Sequence, residues 1–507
     1  MKIFKSPFIL VLLLIIPAIT PLIHSGFFLT DDGNSMVIRF SAFYETLASG
    51  QFPVRFLSRL NYGFGYPVAD FLYPLFMYIG IPIKALGFSF VDTIKIILGF
   101  SFLSGTLFSF LWLRKLFDEK AALIGAVAYS LFPYHLFDIY KRGSVGEVLA
   151  LGIVPFIFWA IEKGSTILTG VGYGLLITSH NSLALLFIPV IFLYHFLFKK
   201  NLIKSLSSLL LGLGLSAFFW IPALYDRQFT VFNITKVSDY QDYFIDSQTI
   251  NLAGLVFIIS FVLGFYYFFK KDWRLKVFVI VSLMSIFMAT ALSDVFWKLL
   301  PLSNLVQFPF RFLSLAVLST AFLISYGVFH YKGKVKTFFI LFLLLVIFIS
   351  ARDFLVPQTF QNYPDTFYST NQDSTTVKNE YMPKWVKAVP FEMANSKVEN
   401  LSGKEKVNVI ETTANKLSFE TFLTEPRTVQ VNRIYFPGWN AYVNGKEMNI
   451  NYNNPRGLMH LDLKRGKNNV KIEFKETPAR LLSDLISIVS LVGLFTYSIN
   501  KKKVFKL

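Results

Sequence analysis

The sequence predicts a polytopic α-helical membrane protein of about twelve transmembrane helices, with an all-β domain held outside the membrane near its C-terminal end. Three observations carry this reading. Apolar stretches of about 20 residues recur along the chain, a length that matches the ~30 Å hydrocarbon core of a bilayer. Lys and Arg gather at the ends of those stretches. From about residue 404 the pattern changes to apolar/polar alternation punctuated by turn residues, which is how short strands read.

Composition narrows the class further. Of 507 residues, 54% are hydrophobic and 16% charged, too apolar for a water-soluble chain of this size. The formal charge is +18. In a soluble protein that excess would point to nucleic acid. Here the cations sit at helix ends, where they orient the chain and meet anionic lipid, so membrane lipid and not nucleic acid is the expected partner. Cysteine is absent, which excludes disulfides, thiolate metal sites and cysteine nucleophiles.

Taken in order, the expected spans are 8–27, 92–113, 121–134, 147–162, 165–179, 183–198, 202–222, 251–269, 275–293, 312–330, 336–351 and 481–499. The first follows Lys2 and Lys5 and resembles a signal peptide, but its length and the lack of a clean small-residue cleavage site make it an uncleaved span. The stretch 70–88 is apolar yet carries Pro74, Gly80, Pro82, Lys84 and Gly87, a poor continuous helix. Charge settles its role. If 70–88 only dips into the outer interface, the basic clusters at 114–120, 199–204, 270–276, 332–336 and 501–506 all fall on one side, as the positive-inside bias requires. The expected arrangement is a multi-pass plasma-membrane protein with both termini cytoplasmic. Its transmembrane domain is 1–351, with 28–91 as first outer loop. Next comes an extracytoplasmic domain at 352–478, then a final helix and basic tail at 479–507.

Within 352–478 the alternation begins at Val407-Asn-Val-Ile410 and continues through Leu417–Phe422, Val429–Asn432, Tyr442-Val443, Leu458–Leu461 and Val470–Phe474. Asn444-Gly445 between two such runs is a strong hairpin signal. Six or more short strands with tight turns suggest a sandwich or jelly roll.

Candidate chemistry concentrates on the outer face. Asp31-Asp32 sits in Leu-Thr-Asp-Asp-Gly-Asn-Ser, just before an amphipathic run. A carboxylate there serves as a general base, as a metal ligand, or as an ordinary helix N-cap. Arg39, Arg142 and Arg311 are placed to clamp a phosphate, or to snorkel to lipid headgroups. Arg311 stands out, because it lies in Gln307-Phe-Pro-Phe-Arg311 where an outer loop re-enters the membrane, and a cation there needs an anionic partner. His135 and Glu147 after one span, with His180-Asn181 after another, are placed to line a polar cavity together with Gln307, or to act as polar caps. No zinc spacing, Gly-rich phosphate loop or nucleophile elbow is present, which argues against nucleotide chemistry and indicates no cofactor, although a divalent metal is chemically compatible with the carboxylates.

These motifs together carry a resemblance. Asp32-(six residues)-Arg39, Gly50-Gln-Phe-Pro-Val-Arg55, Gly63-Phe-Gly-Tyr-Pro67, Tyr73-Pro74, Ser179-His180-Asn181, Gln307-Phe-Pro-Phe-Arg311, Glu380-Tyr-Met-Pro383 and Tyr435-Phe-Pro-Gly-Trp439 with Val443-Asn-Gly445 span nearly the whole chain. In this order the sequence resembles the GT-C superfamily of polyprenyl-phosphate-sugar glycosyltransferases. More closely, it looks like the YfhO-like and 6-pyruvoyl-tetrahydropterin synthase-related membrane proteins, a label that does not describe pterin chemistry. The resemblance implies a GT-C-like fold with interfacial helices in the first outer loop. It implies inverting transfer of a sugar from a polyprenyl-phosphate donor to a glycan or glycolipid acceptor of the cell envelope. The base role falls on Asp32 by its spacing to Arg39, with Asp31 beside it, and Met36 stands where the family pattern often has His. Two other readings compete: a transporter or flippase for lipid-linked saccharides, and a non-catalytic glycan-binding envelope protein.

Overall fold

The computed structural model describes residues 7–235, 239–357, 359–401 and 405–504. Every stretch expected to span is wholly or largely helical. Among the described residues, six helices are long and apolar enough to cross a membrane, and eight are when each of two bent pairs counts as one span. The six are Phe90–Leu113, Val145–Glu162, Asn181–Lys199, Pro309–His330, Gly333–Phe354 and Pro478–Tyr497.

Length and composition thus support six to eight of the about twelve expected transmembrane helices among the described residues. Helices Pro7–Ile19, Thr166–Ser179 and Gly254–Tyr267 hold 13, 14 and 14 residues. At 1.5 Å per residue they reach only about 20 Å, short of the hydrocarbon core. Segment 121–134 breaks at Pro133, which starts a new helix bent by 42° from Glu119–Ser130. Segment 202–222 bends by 70° at Ser216, whose Oγ donates back to the Gly212 carbonyl at 2.8 Å. Apolar residues run through these breaks, so hydropathy alone does not register them. The 70–88 stretch forms a single turn, Val68–Phe71, and an 11-residue helix, Leu75–Ala85, neither long enough to span.

The helices pack through small residues. A Cβ on Gly152 would lie 2.6 Å from the Ser101 carbonyl, and one on Gly125 would lie 2.7 Å from the Ala321 carbonyl. Bare glycines at these crossings bring Val145–Glu162 against Phe90–Leu113, and Glu119–Ser130 against Leu313–His330.

Ten strands lie among the described residues: β1 (Phe27–Phe28), β2 (Phe360–Gln361), β3 (Val398–Asn400), β4 (Val407–Thr412), β5 (Lys416–Leu423), β6 (Arg427–Ile434), β7 (Trp439–Val443), β8 (Lys446–Met448), β9 (Leu458–Leu463) and β10 (Gly466–Phe474). A five-stranded sheet of order β4-β5-β10-β7-β8 faces a three-stranded sheet of order β3-β6-β9. Leu417, Phe419, Val470 and Ile472 from the first meet Val429, Val431, Met459 and Leu461 from the second, the buried half of each alternation. Asn444 and Gly445, at φ 51° and 79°, form the turn between β7 and β8 that the Asn-Gly pair announces.

Three features join the 352–478 region to the helices. β1, just before Asp31, pairs antiparallel with β2. Phe56 of the first loop enters the sandwich core, 5.5 Å from the Trp439 ring. Below it, Arg55 contacts Asp484 at 3.0 Å and Glu476 at 3.3 Å, and Arg480 contacts Asp226 at 2.8 Å. Asp70 lies 3.5 Å from each of these arginines. This buried cluster ties the first loop, the Ala217–Asp226 helix and the start of the last helix into one corner.

Candidate functional site

A cavity of about 760 Å³ opens where the first loop, two helix ends and the 371–391 segment converge. Its floor comes from the helical bundle, and its roof from the chain that leads into the sandwich.

The Asp31-Asp32 pair lies on its wall. The backbone N–H groups of both residues donate to the carbonyls of Lys141 and Arg142, at 3.0 and 2.8 Å. This close docking needs two glycines. Gly143 has φ +65°, and a Cβ there would lie 2.9 Å from the Gly33 backbone. A Cβ on Gly33 would lie 2.2 Å from the Phe27 ring. The helix Gly33–Ala48 begins here, and neither aspartate caps it with its side chain. Thr30 Oγ1 accepts the Gly33 N–H instead, at 3.0 Å. Burial and the neighbouring Asp32 charge push the Asp31 carboxyl above the usual carboxylate range.

Behind the wall stands Glu147, fully buried in the first turn of Val145–Glu162. One of its oxygens, Oε1, accepts from Arg142, from Arg311 Nε at 2.8 Å and from Ser144 Oγ at 3.3 Å. Its other oxygen accepts from the Tyr134 hydroxyl at 3.0 Å. One carboxylate thus holds two guanidiniums side by side along the cavity. Arg142 also reaches Asp138 at 3.2 Å and Asp32 at 3.5 Å, and stacks over Phe308 and Phe310. Arg311 donates to the Val306 carbonyl at 2.7 Å and to Gln307 Oε1 at 2.8 Å. Gln307 holds a left-handed backbone, φ +70°, uncommon for a non-glycine residue and often found at functional sites.

The sequence-predicted residues divide into three groups. Asp31, Asp32, Arg39, Arg142, His180, Asn181, Gln307 and Arg311 all line this one cavity. Within this group His180 also serves as the polar cap: its Nδ1 accepts the Leu183 N–H at 3.2 Å, with Nε2 3.7 Å from Glu147. Asn181 donates to the Phe71 carbonyl at 3.1 Å. Arg39 is tied to the roof, donating to Thr375 Oγ1 at 2.9 Å and to the Thr375 carbonyl. Glu147 is a correction: it does not line the cavity but supports the residues that do. His135 is a second correction. It lies in the core between Phe102 and Tyr129, away from the cavity, with Nδ1 3.3 Å from the Tyr129 carbonyl. A histidine two residues after a proline helix start looks the same in sequence whether it turns inward or toward a cleft.

Sequence reasoning assigned no chemistry to Tyr73, Asn379, Glu380 or Tyr381, all of which line the cavity. Two signals pointed there, Tyr73-Pro74 and Glu380-Tyr-Met-Pro383, but nothing local told which side chains meet the bundle. Among the described residues, no three His, Asp or Glu side chains are arranged to hold a metal ion.

Residues 70–357 match the family model described as 6-pyruvoyl-tetrahydropterin synthase related domain, membrane protein. The comparison with curated proteins yields no match. Among solved structures, the chain is similar to the Archaeoglobus fulgidus oligosaccharyltransferase tethered with an acceptor peptide containing the NVT sequon, at 14% identity and TM-score 0.46, covering 77% of this chain and 62% of that one. The apo form of the same enzyme gives 13% identity and TM-score 0.46, covering 76% and 61%. The archaeal oligosaccharyltransferase AglB from the same organism, in complex with an inhibitory peptide and a dolichol-phosphate, gives 13% and 0.44, covering 72% and 56%. The chain spans about three fifths of the length of these proteins.

Proposed function

The chain belongs to the family of 6-pyruvoyl-tetrahydropterin synthase-related membrane proteins, and from that premise we propose that it is a membrane glycosyltransferase. It transfers a sugar from a polyprenyl-phosphate donor to a glycan or glycolipid acceptor on the outer face of the membrane. One observation carries the reading: the carboxylates of the first loop meet Arg142 and Arg311 in a single cavity, with both guanidiniums held by the buried Glu147.

The chemistry follows from those groups. An acceptor hydroxyl oxygen attacks the anomeric carbon and forms the new C–O bond. The bond from that carbon to the phosphate oxygen breaks, and the configuration inverts. The acceptor proton passes to Asp32. The phosphate carries more charge as it leaves, and Arg311 and Arg142, fixed before the reaction begins, stabilise that charge. Asp31 sits beside the base and tunes its field. The 352–478 region covers the site and engages the acceptor.

The test is incubation of the purified full chain, in nanodiscs, with a panel of polyprenyl-phosphate sugars and candidate acceptors. Consumption of one donor is expected, and no consumption across the panel removes the reading. One observation favours a second reading. The two bent helix pairs, one of them ending at Arg142, are what a lipid-linked saccharide transporter needs, because broken helices place polar groups at depth. Protein-dependent movement of a fluorescent lipid-linked sugar between leaflets of proteoliposomes, without donor consumption, would select it.

A further inference from the structure

Among the described residues, the roof of the cavity carries two buried hydrogen-bond acceptors without a partner. Glu380 is 8% exposed, and its Oε2 is fully buried and unpartnered. No hydrogen bond or ion pair engages either of its oxygens among the described residues, although three arginines line the same cavity. Next to it, Asn379 Oδ1 is likewise buried without a partner. A buried, unpaired carboxylate costs stability, so native chains rarely keep one without use.

This geometry is held in place. The Tyr66 hydroxyl accepts the Tyr381 N–H at 3.0 Å. The Tyr381 ring stacks on Phe71 at 5.0 Å and on Phe232 at 5.5 Å. The Met382 carbonyl accepts the Val231 N–H at 2.9 Å. Asn379 adopts φ +50°. Glu380 is therefore clamped on its C-terminal side and strained on its N-terminal side, a pre-organised receptor rather than a loose surface acid.

The chemistry of the missing partner is restricted. It must donate hydrogen bonds to acceptors carried by two consecutive residues of the roof, both of which line the cavity. A phosphate at neutral pH offers few donors, and the carboxylate repels it, so the lipid-phosphate part of a substrate does not fit. Neighbouring hydroxyls of a sugar ring do fit, since a carboxylate accepts from two of them at once. We propose that Glu380, with Asn379, is the specificity-determining receptor for the hydroxyl groups of a sugar ring in this cavity. The proposal rests on the glycosyl-transfer reading, and the sugar belongs either to the donor or to the acceptor glycan.

The experiment compares wild type, Glu380→Gln and Glu380→Ala in the full chain, in nanodiscs. The first readout is saturation-transfer NMR with the methyl glycosides of glucose, galactose and mannose. The second is thermal unfolding without ligand. At least one glycoside should bind wild type, and Kd should rise tenfold or more in Glu380→Gln. The same variant should melt at or above the wild-type temperature, because it removes an unpaired charge; a merely structural role would lower it. Loss of glycoside binding together with a lower melting temperature in both variants would overturn the proposal, as would equal binding in all three proteins. The two sources separate by kinetics. A raised KM for the acceptor alone assigns the site to the acceptor glycan, and a raised KM for the polyprenyl-phosphate sugar alone assigns it to the donor. If wild type consumes a donor while Glu380→Gln keeps both KM values, this inference fails and the transferase reading stands. If glycosides bind through Glu380 but no donor is consumed, the transferase reading fails and the receptor stands.

Discussion

Asp31 and Asp32 show how much one hydrogen bond can decide. Residues of this type ahead of a helix are expected to cap it. Here Thr30 Oγ1 takes that role, at 3.0 Å from the Gly33 N–H, and leaves both carboxylates on the cavity wall. Asp32→Asn keeps the size of the side chain and removes its basicity, so transfer should fall by about 10²–10⁴-fold with donor binding intact. Asp31→Asn should be milder. Turnover of both variants, measured beside their detergent stability, decides the assignment: loss in Asp31→Asn alone reverses the two roles. Glu147 belongs to a different class of prediction. Glu147→Gln leaves two buried guanidiniums without their shared anion, and breaking such a contact costs about 3–5 kcal/mol. A large drop in melting temperature is expected before any kinetic effect can be read. An unchanged melting temperature would mean that the Arg142–Glu147–Arg311 contact contributes little.

Among the elements, the decisive junction is between the start of helix Gly33–Ala48 and the turn at 138–143. Gly143 sits at φ +65°, where a Cβ would lie 2.4 Å from Thr30 Oγ1 and 2.9 Å from the Gly33 backbone. Gly143→Ala therefore meets both a conformational penalty of about 1–2 kcal/mol and a steric clash. The two segments must separate, which moves Asp32 away from Arg142. Expression and secondary structure should survive while donor turnover drops more than tenfold. Wild-type turnover in this variant would show that the spacing of the two segments does not matter. The helix breaks at Pro133 and Ser216 belong to the same scale. Their flanks are apolar on both sides, so a hydropathy window joins what the backbone separates.

At the scale of the whole molecule, the expected topology places the basic loops inside and the sandwich outside. The chain contains no cysteine, so single cysteines report cleanly. Lys334→Cys and Lys464→Cys, both at exposed positions, should respond oppositely to an impermeant thiol reagent on intact cells: protected at 334, labelled at 464. The reverse pattern would invert the map and put the cavity on the cytoplasmic face. The cavity is lined by Asp31 of the first loop and by Arg311, so the labelling result also reports which side of the membrane it faces. β1 and β2 reinforce this, since pairing Phe27–Phe28 with Phe360–Gln361 keeps the roof segment on the same side as the aspartates.

Much of this was legible in one dimension. Span-length apolar runs, alternating strands and the Asn444-Gly445 turn depend on neighbours within a few residues, and these local patterns predict helices, strands and a hairpin where the structure has them. Eight of the expected site residues also line one cavity. What local pattern does not carry is direction and partnership. His135 turns into the core and His180 toward Glu147, though both follow apolar runs. Glu147 lies behind the wall, and its hold on Arg142 and Arg311 joins positions separated by 5 and 164 residues. Glu380 gains its meaning only from the roof it stands in, more than 300 residues from the Tyr66 and Phe71 contacts that fix its neighbour. Sequence determines which elements form, since their energetics are local; tertiary packing decides which charges end up buried together, since desolvation is a property of the surroundings and not of the residue.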